Sequence, residues 1–373
     1  MSEFGETRNR TNQQMDPPPF PVVRDFLPDF QLPDAQLQPQ SLLSLALGQP
    51  VVMIFCPQPA STGGRDMLTA LDAAAAELHA KATIVPIVGA DLDGLRALAG
   101  RLPGLVNLLG DPQGVVIRGY GAAGHQGCSV VVADRNRRIR RVDHGVSDPA
   151  YITALNTYLD GFAEPTPAEM SGFAPVLFVP DVLEPDFRDH LMAVHDADNE
   201  PSGVLSTNVA GESSKSEQHD IKRRSDHYVR DRSLIGELHW RIGRRVLPEI
   251  FKYSWYRVTQ IEEYKIVCYD SEGGGYFKPH RDGMSSAGAH RRFAMTLNLN
   301  TGAYQGGHLR FPEYGPGLYR PGAGDAVIFG CSLLHEAMPV TAGKRYVLLS
   351  FLYGEDGKVQ RAESRSGEQG GGV

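Results

Sequence analysis

Hydrophobic positions follow two different patterns, and the change between them divides the chain. Val51–Phe55 is an unbroken apolar run, the signature of a strand buried on both faces of a parallel sheet. After it, Met67, Leu68, Leu71, Ala74, Ala75 and Leu78 recur at helical spacing, so the pattern predicts a helix over Asp66–Lys81. Thr83–Val88 predicts a second buried strand, Asp91–Gly100 a second helix, Ser129–Val132 with Ile139 and Val142 a hairpin, and Tyr151–Leu159 a closing helix. Strand alternating with helix makes this an α/β unit.

The second half reads differently. Helical patterns at Glu184–His195 and Ser233–Phe251 give way to short alternating segments from Gln260 to Tyr353, separated by Gly and Pro turns. That is the pattern of an antiparallel sandwich or barrel. Gly161–Glu169, with two prolines and two acids, reads as a linker. The polar stretch Thr207–Arg232 reads as a mobile loop, which with Gly283–His290 would cover the mouth of a pocket. The expected organisation is a disordered leader over 1–21, an α/β domain over 22–162, a linker over 163–174, a β-rich domain over 175–357 and a disordered tail over 358–373.

Charge and cysteine content narrow the function. Lys and Arg number 37 against 44 Asp and Glu, for a formal net charge of −7, which argues against nucleic acid or an anionic membrane as partner. The longest uncharged stretch, Ser41–Gly64, is interrupted by glycine and proline and does not suit a membrane span. Residues 1–21 lack the apolar core of a signal peptide. The 4 cysteines, Cys56, Cys128, Cys268 and Cys331, form no CxxC pair, so neither a disulfide scaffold nor a structural zinc site is expected and a reducing cytoplasm fits. The basic run Arg135–Arg141 reads as a solvated hairpin edge.

One constellation carries chemistry. His280 and Asp282 stand two apart, so on an extended chain both side chains project to one side and can reach one ion. His335, beside the apolar residues Val327–Phe329, supplies a third ligand. Two histidines and a carboxylate form the facial triad of a non-haem Fe(II) site, with positions left open for a co-substrate and dioxygen. Arg345, a little further on, offers two parallel N–H donors to a carboxylate. The co-substrate so implied is a dicarboxylate such as 2-oxoglutarate, its far acid group on Arg345. Thr296, Asn298 and Asn300 alternate with Met295, Leu297 and Leu299, so one polar strand face stands ready to line a pocket or to meet solvent.

From about Pro175 to Glu355 the sequence resembles the prolyl-4-hydroxylase-like branch of the 2-oxoglutarate/Fe(II)-dependent dioxygenases. The matching pieces are Tyr269–Tyr276, His280 with Asp282, Arg292 with Thr296–Asn300, Gly306–Pro312, Pro321–Ala326, and His335 with Pro339, Val340 and Arg345. The resemblance implies a double-stranded β-helix (jelly roll) with flanking helices, iron on His280, Asp282 and His335, 2-oxoglutarate on Arg345, and Tyr269 lining the 2-oxoglutarate pocket. It also implies O2 as oxidant, ascorbate as reductant, and hydroxylation of a peptidyl proline, an amino acid or a small metabolite. Arg345 stands where collagen-type enzymes carry lysine, and His308 where the Gly-Gly pair is usually followed by an acid. His308 reads as a surface or supporting residue, since three ligands already complete the set.

Residues 22 to about 160 resemble peroxiredoxins through Leu27–Asp34, Pro50–Pro57, and Leu109–Val115 with Tyr120 and Gly121. The implied fold is thioredoxin-like. Peroxidase chemistry needs a thiolate at the start of the helix after the first buried strand, where the helix dipole lowers its pKa, but Ser61–Gly64 stands there. Cys56 reads as a buried strand residue, with a catalytic thiol as its alternative, and Cys128, at the start of the later hairpin, is a candidate to approach it. Two functions therefore compete: an active dioxygenase joined to a degenerate redoxin, or a thiol peroxidase or binding module with an inactive jelly roll.

Overall fold

The computed structural model of the chain describes residues 19–162, 172–202, 204–207, 213–216, 221–284 and 288–369. The chain divides into two compact units, one of residues 1–23 and 27–163, the other of residues 24–26 and 164–373.

In the first unit a five-stranded sheet is built from β1 (Val51–Cys56), β2 (Thr83–Val88), β3 (Leu109–Gly110), β4 (Cys128–Ala133) and β5 (Ile139–Val146), in the order β3-β2-β1-β4-β5. β1 runs parallel to β2 and antiparallel to β4. All six residues of β1 are buried, because its two faces serve two separate apolar clusters: Val52, Ile54 and Cys56 on one, Val51, Met53 and Phe55 on the other. This is the thioredoxin-like arrangement.

The first helix, α1 (Thr62–Ala73), starts earlier than its apolar spacing implies, because the Ser61 hydroxyl accepts from the Gly64 amide at 3.1 Å and caps the end. The pattern through Leu78 belongs to a separate short turn, Ala75–His79, with Ala74 as the break. α2 (Leu92–Arg101) and α3 (Tyr151–Leu159) belong to the same unit. The basic run is less solvated than a plain edge strand would make it. Arg138 is fully buried, and Arg140 and Arg141 pair with Asp134 and Asp143, so the hairpin supplies its own counter-charges.

In the second unit a large sheet runs β6 (Val176–Val179), β14 (Ala326–Gly330), β11 (Phe293–Asn298), β16 (Lys344–Tyr353), β9 (Lys265–Asp270), β8 (Ser225–Tyr228) and the short strand Glu200–Pro201. A five-stranded sheet faces it, β7 (Lys222–Arg223), β10 (Tyr276–His280), β15 (His335–Ala337), β12 (Leu309–Arg310) and β13 (Leu318–Tyr319). Strand alternation assigns the two faces of the large sheet. Ile266, Met295, Leu297 and Leu348 pack under the helices α4 (Pro185–Ala197), α5 (Arg232–Arg245) and α6 (Leu247–Ser254), whereas Val267, Tyr269, Ala294 and Val347 face the small sheet. Two sheets with a cavity between them and helices behind one make a jelly roll.

Three expectations need correction. The predicted helix Ser233–Phe251 is two helices, since Pro248 opens the second. The stretch Thr207–Arg232 is not simply a loop: Lys222–Arg223 and Ser225–Tyr228 join the small and the large sheet, held by backbone pairing to β10 and β9 that no local pattern announces. The tail expected to be disordered from 358 carries a helix, α7 (Glu355–Gln369). Glu355 and Asp356 in its first turn complement the positive helix end, and they bind Thr259, Tyr256 and Arg292. The leader through residue 18, residues 163–171 of the linker and the last four residues lie outside the described residues. No helix among the described residues is long and apolar enough to cross a membrane.

Candidate metal and co-substrate site

His280 ends β10 and His335 opens β15, and the antiparallel register sets them directly opposite each other. A register shift between Phe277 and His280 turns the end of β10. Asp282, two residues beyond His280, enters between the rings: its carboxylate oxygens lie 3.5 Å from His280 Nε2 and 3.4 Å from His335 Nε2. One ligand atom from each residue lies within 4.8 Å of the others.

These residues fit a divalent ion. Bonds of about 2.0–2.2 Å to nitrogen and oxygen put neighbouring donor atoms roughly 3 Å apart around a first-row metal, close to the separations seen. Each ring is also oriented from behind. His280 Nδ1 meets the Lys278 carbonyl at 2.8 Å and His335 Nδ1 meets that of Leu333 at 3.1 Å. Both Nδ1 atoms therefore carry the proton, and both Nε2 lone pairs point to the shared centre. Phe277 stacks on His280 and Phe329 packs beside His335. Burial alone would raise the Asp282 carboxyl pKa, but the contact with His280 and the charges of His335, His280 and Arg291 outweigh it and hold the group below its ordinary value. Burial also lowers the His335 pKa. Both shifts favour the forms that bind metal.

Arg345 is 2% exposed and lies on β16 opposite Tyr269 of β9. Its Nη2 donates to Asn298 Oδ1 at 3.1 Å, and its guanidinium carbon is 5.3 Å from the Tyr269 ring centre. Among the described residues its Nε has no hydrogen-bond partner. A buried guanidinium donor left unmet is costly, and a carboxylate is the group that meets it. Arg345, Tyr269, Thr296 and all three triad residues line one cavity of about 400 Å³. Asn298 stands behind it, its amide also donating to Tyr304 and Thr301. Asn298 therefore belongs to the pocket side of the alternating strand, one of the two roles its pattern allowed. His308 takes no part in the triad among the described residues.

The cavity also holds residues that sequence reasoning missed. Arg224 donates to the Tyr269 hydroxyl at 3.0 Å and pairs with Asp226 at 2.9 Å, while Ser202 closes on Asp226 from the other side. Lys222, Lys265 and Arg291 complete this wall. The alternation Lys222, Arg224, Asp226, Tyr228 was the available signal, a period of two inside a stretch read as loop.

In the first unit Cys56 and Cys128 are fully buried. Phe55 pairs with Ser129, so the two cysteines stand opposite each other. The contact between their thiols lowers the Cys56 pKa and raises that of Cys128. At the start of α1, the position of the reactive thiol in peroxiredoxins, the cap is the Ser61 hydroxyl.

Comparison with known proteins agrees with this division. Residues 264–353 match the 2OG-Fe(II) oxygenase superfamily and residues 23–142 the AhpC/TSA family. Among solved structures, the chain is similar to a prolyl hydroxylase from Trichoplax adhaerens in complex with a hypoxia inducible factor peptide (14% identity, 51% of this chain and 87% of that one, TM-score 0.39). It is also similar to a prolyl-4-hydroxylase from Pseudomonas putida (20%, 48% and 92%, TM-score 0.36). The peroxidoxin BcpB from Mycobacterium tuberculosis is similar at 22% identity, with 38% of this chain and 98% of that one covered and a TM-score of 0.34. No curated protein matches. The two matches thus fall one in each unit, residues 23–142 on the AhpC/TSA family and residues 264–353 on the 2OG-Fe(II) oxygenase superfamily.

Proposed function

We propose that the second unit is a 2-oxoglutarate- and Fe(II)-dependent dioxygenase that hydroxylates a small-molecule or peptide substrate. The observation that carries this reading is the convergence of His280, Asp282 and His335 within 4.8 Å, in a cavity shared with Arg345, whose Nε is unmet among the described residues. Bound Fe(II), 2-oxoglutarate and O2 would supply the chemistry: oxygen enters a substrate C–H bond while 2-oxoglutarate leaves as succinate and CO2.

The residues of this chain do the rest. His280, Asp282 and His335 would hold the metal, a three-residue set that would leave it free to take co-substrate and O2. Arg345 receives the far carboxylate of 2-oxoglutarate. Tyr269, its hydroxyl already accepting from Arg224, has its own O–H free to point at that carboxylate. Leu309, Phe329, Val347 and Leu349 line the walls and keep water from the reacting groups. Ascorbate would serve as reductant in a cytoplasmic setting.

The test is an anaerobic calorimetric titration of the full chain, first with Fe(II) and then with 2-oxoglutarate. We expect one Fe(II) site and 2-oxoglutarate binding that requires it, with succinate formed on admitting O2. A protein that binds neither, yet consumes hydroperoxide in a manner dependent on Cys56, would support the thiol-peroxidase reading instead.

A further inference from the structure

Besides Arg345, the cavity is lined by Lys222, Arg224, Lys265 and Arg291. Arg224 is neutralised by Asp226 and Arg291 by Glu262, each pair at 2.9 Å. Lys265 differs. Among the described residues no carboxylate pairs with its ammonium, which lies 4.9 Å from the centre of the Tyr228 ring, and Glu263 on the same wall is exposed and does not reach it. Burial first, and then the charges of Arg224 and Arg291, lower its pKa against the opposing pull of Asp226 and Glu262. An ammonium drawn out of water without a counter-ion costs stability, and a lysine kept in a ligand cavity under those conditions is the complement of an anion brought from outside.

The register shows that this anion is not the co-substrate. Tyr269 pairs with Arg345 and Lys265 with Leu349, so Lys265 stands four residues along the sheet, roughly 13 Å, from the Arg345 row. A co-substrate whose acid group sits on Arg345 occupies one end of the cavity. The other end, between Tyr228, Phe351 and Arg291, is left to a second molecule.

We propose that the primary substrate carries a carboxylate, and that Lys265 receives it at the end of the cavity opposite Arg345. This assigns a substrate class and rests on the dioxygenase reading above. The sequence motifs of the iron site are silent on it, since Lys265 lies outside all of them.

The test compares acids with their neutral amides on the full chain, anaerobically, with Fe(II) present and with and without saturating 2-oxoglutarate. The probes are hexanoate against hexanamide, benzoate against benzamide, and N-acetylproline against N-acetylprolinamide. With Arg345 occupied by 2-oxoglutarate, we expect at least one acid to bind about tenfold or more tighter than its amide. Lys265→Met should abolish that preference, Lys265→Arg should keep it, and 2-oxoglutarate affinity should be unchanged in both variants. Acids that bind no better than amides, no binding of any acid, or a preference that survives in Lys265→Met would overturn the proposal. Failure of 2-oxoglutarate to bind wild-type protein would instead count against the dioxygenase reading, and the acid–amide comparison without 2-oxoglutarate would still decide the role of Lys265.

Discussion

Asn298 holds Arg345 by one contact, Nη2 to Oδ1 at 3.1 Å, while among the described residues the guanidinium Nε has no hydrogen-bond partner. Asn298 lies on β11 and Arg345 on the adjacent β16, so the amide fixes the plane of the guanidinium from behind and leaves a donor edge for a ligand. Arg345→Met should weaken 2-oxoglutarate binding roughly thirtyfold or more, since it removes one side of a buried charge pair. Asn298→Ala should cost less, about five- to tenfold, because the cation remains and only its orientation loosens. Calorimetric titration of 2-oxoglutarate into the Fe(II) protein measures both, and equal affinities for the two variants would refute this division of labour.

The metal set predicts an order of losses. Asp282 contacts both imidazoles and carries the only negative charge of the triad, so Asp282→Ala should abolish measurable Fe(II) binding. His280→Ala and His335→Ala should each weaken it about a hundredfold or more. Phe277→Leu removes only the ring stacked on His280 and leaves its Nδ1 contact with the Lys278 carbonyl, so it should weaken metal binding tenfold or less. Metal content after anaerobic loading, read by mass spectrometry of the folded protein, checks the series.

Gly307 links backbone conformation to the co-substrate pocket. It has φ +62°, and a Cβ placed there would lie 2.8 Å from Arg345 Cδ and 3.0 Å from Val340 Cγ2. Gly307→Ala should therefore push the Arg345 side chain out of place, costing roughly 1–3 kcal/mol of stability and raising the 2-oxoglutarate dissociation constant. Gly302→Ala is the control, since φ +107° strains it similarly but nothing lies within 4 Å of the added carbon. If both variants lose 2-oxoglutarate affinity equally, the steric argument fails.

How legible all this was depends on the range of the interactions. The pair His280 and Asp282 is local, two residues apart, although His280 ends its strand and the turn just beyond it brings Asp282 to the same side. The buried run Val51–Phe55 was equally plain, because a strand covered on both faces needs no partner to be recognised. The Arg224–Tyr269–Arg345 row was not legible. It exists only because β8, β9 and β16 pair side by side, and register between distant segments is written in packing and not in any one segment. For the same reason Lys222–Tyr228 looked like a polar loop: its polar side chains face a cavity, not solvent. α7 escaped notice because its first turns are anchored by Thr259, Tyr256 and Arg292, residues far away in sequence.

The four cysteines, two in each unit, give a simple check on both. All are buried and free. A thiol reagent added to native protein should label none of them within minutes, and all 4 after denaturation. Rapid labelling of Cys56 in the native protein would show that the first turn of α1 opens readily, and would revive the peroxidase reading.

Glu184 supplies a pH-dependent term in the second unit. Standing just before α4, it receives Arg241 Nε at 2.8 Å and Arg245 Nη2 at 2.7 Å, both from α5, and so ties two helices together. Burial alone would raise its carboxyl pKa, but the two guanidiniums outweigh that and bring it to about 2, from an ordinary 4.5. A carboxyl depressed by folding stabilises the fold fully above the unfolded value, and the contribution fades as pH falls from about 4.5 through about 2. With its side chain 28% exposed, solvent screening reduces the effect to roughly 1–2 kcal/mol. Both tryptophans, Trp240 and Trp255, lie in this unit, so urea unfolding followed by tryptophan fluorescence reads it directly. Glu184→Gln should lower the midpoint at pH 7 and converge with wild type as pH approaches 2. A stability gap that is the same at pH 7 and pH 3 would mean that Glu184 acts by packing and not through its charge.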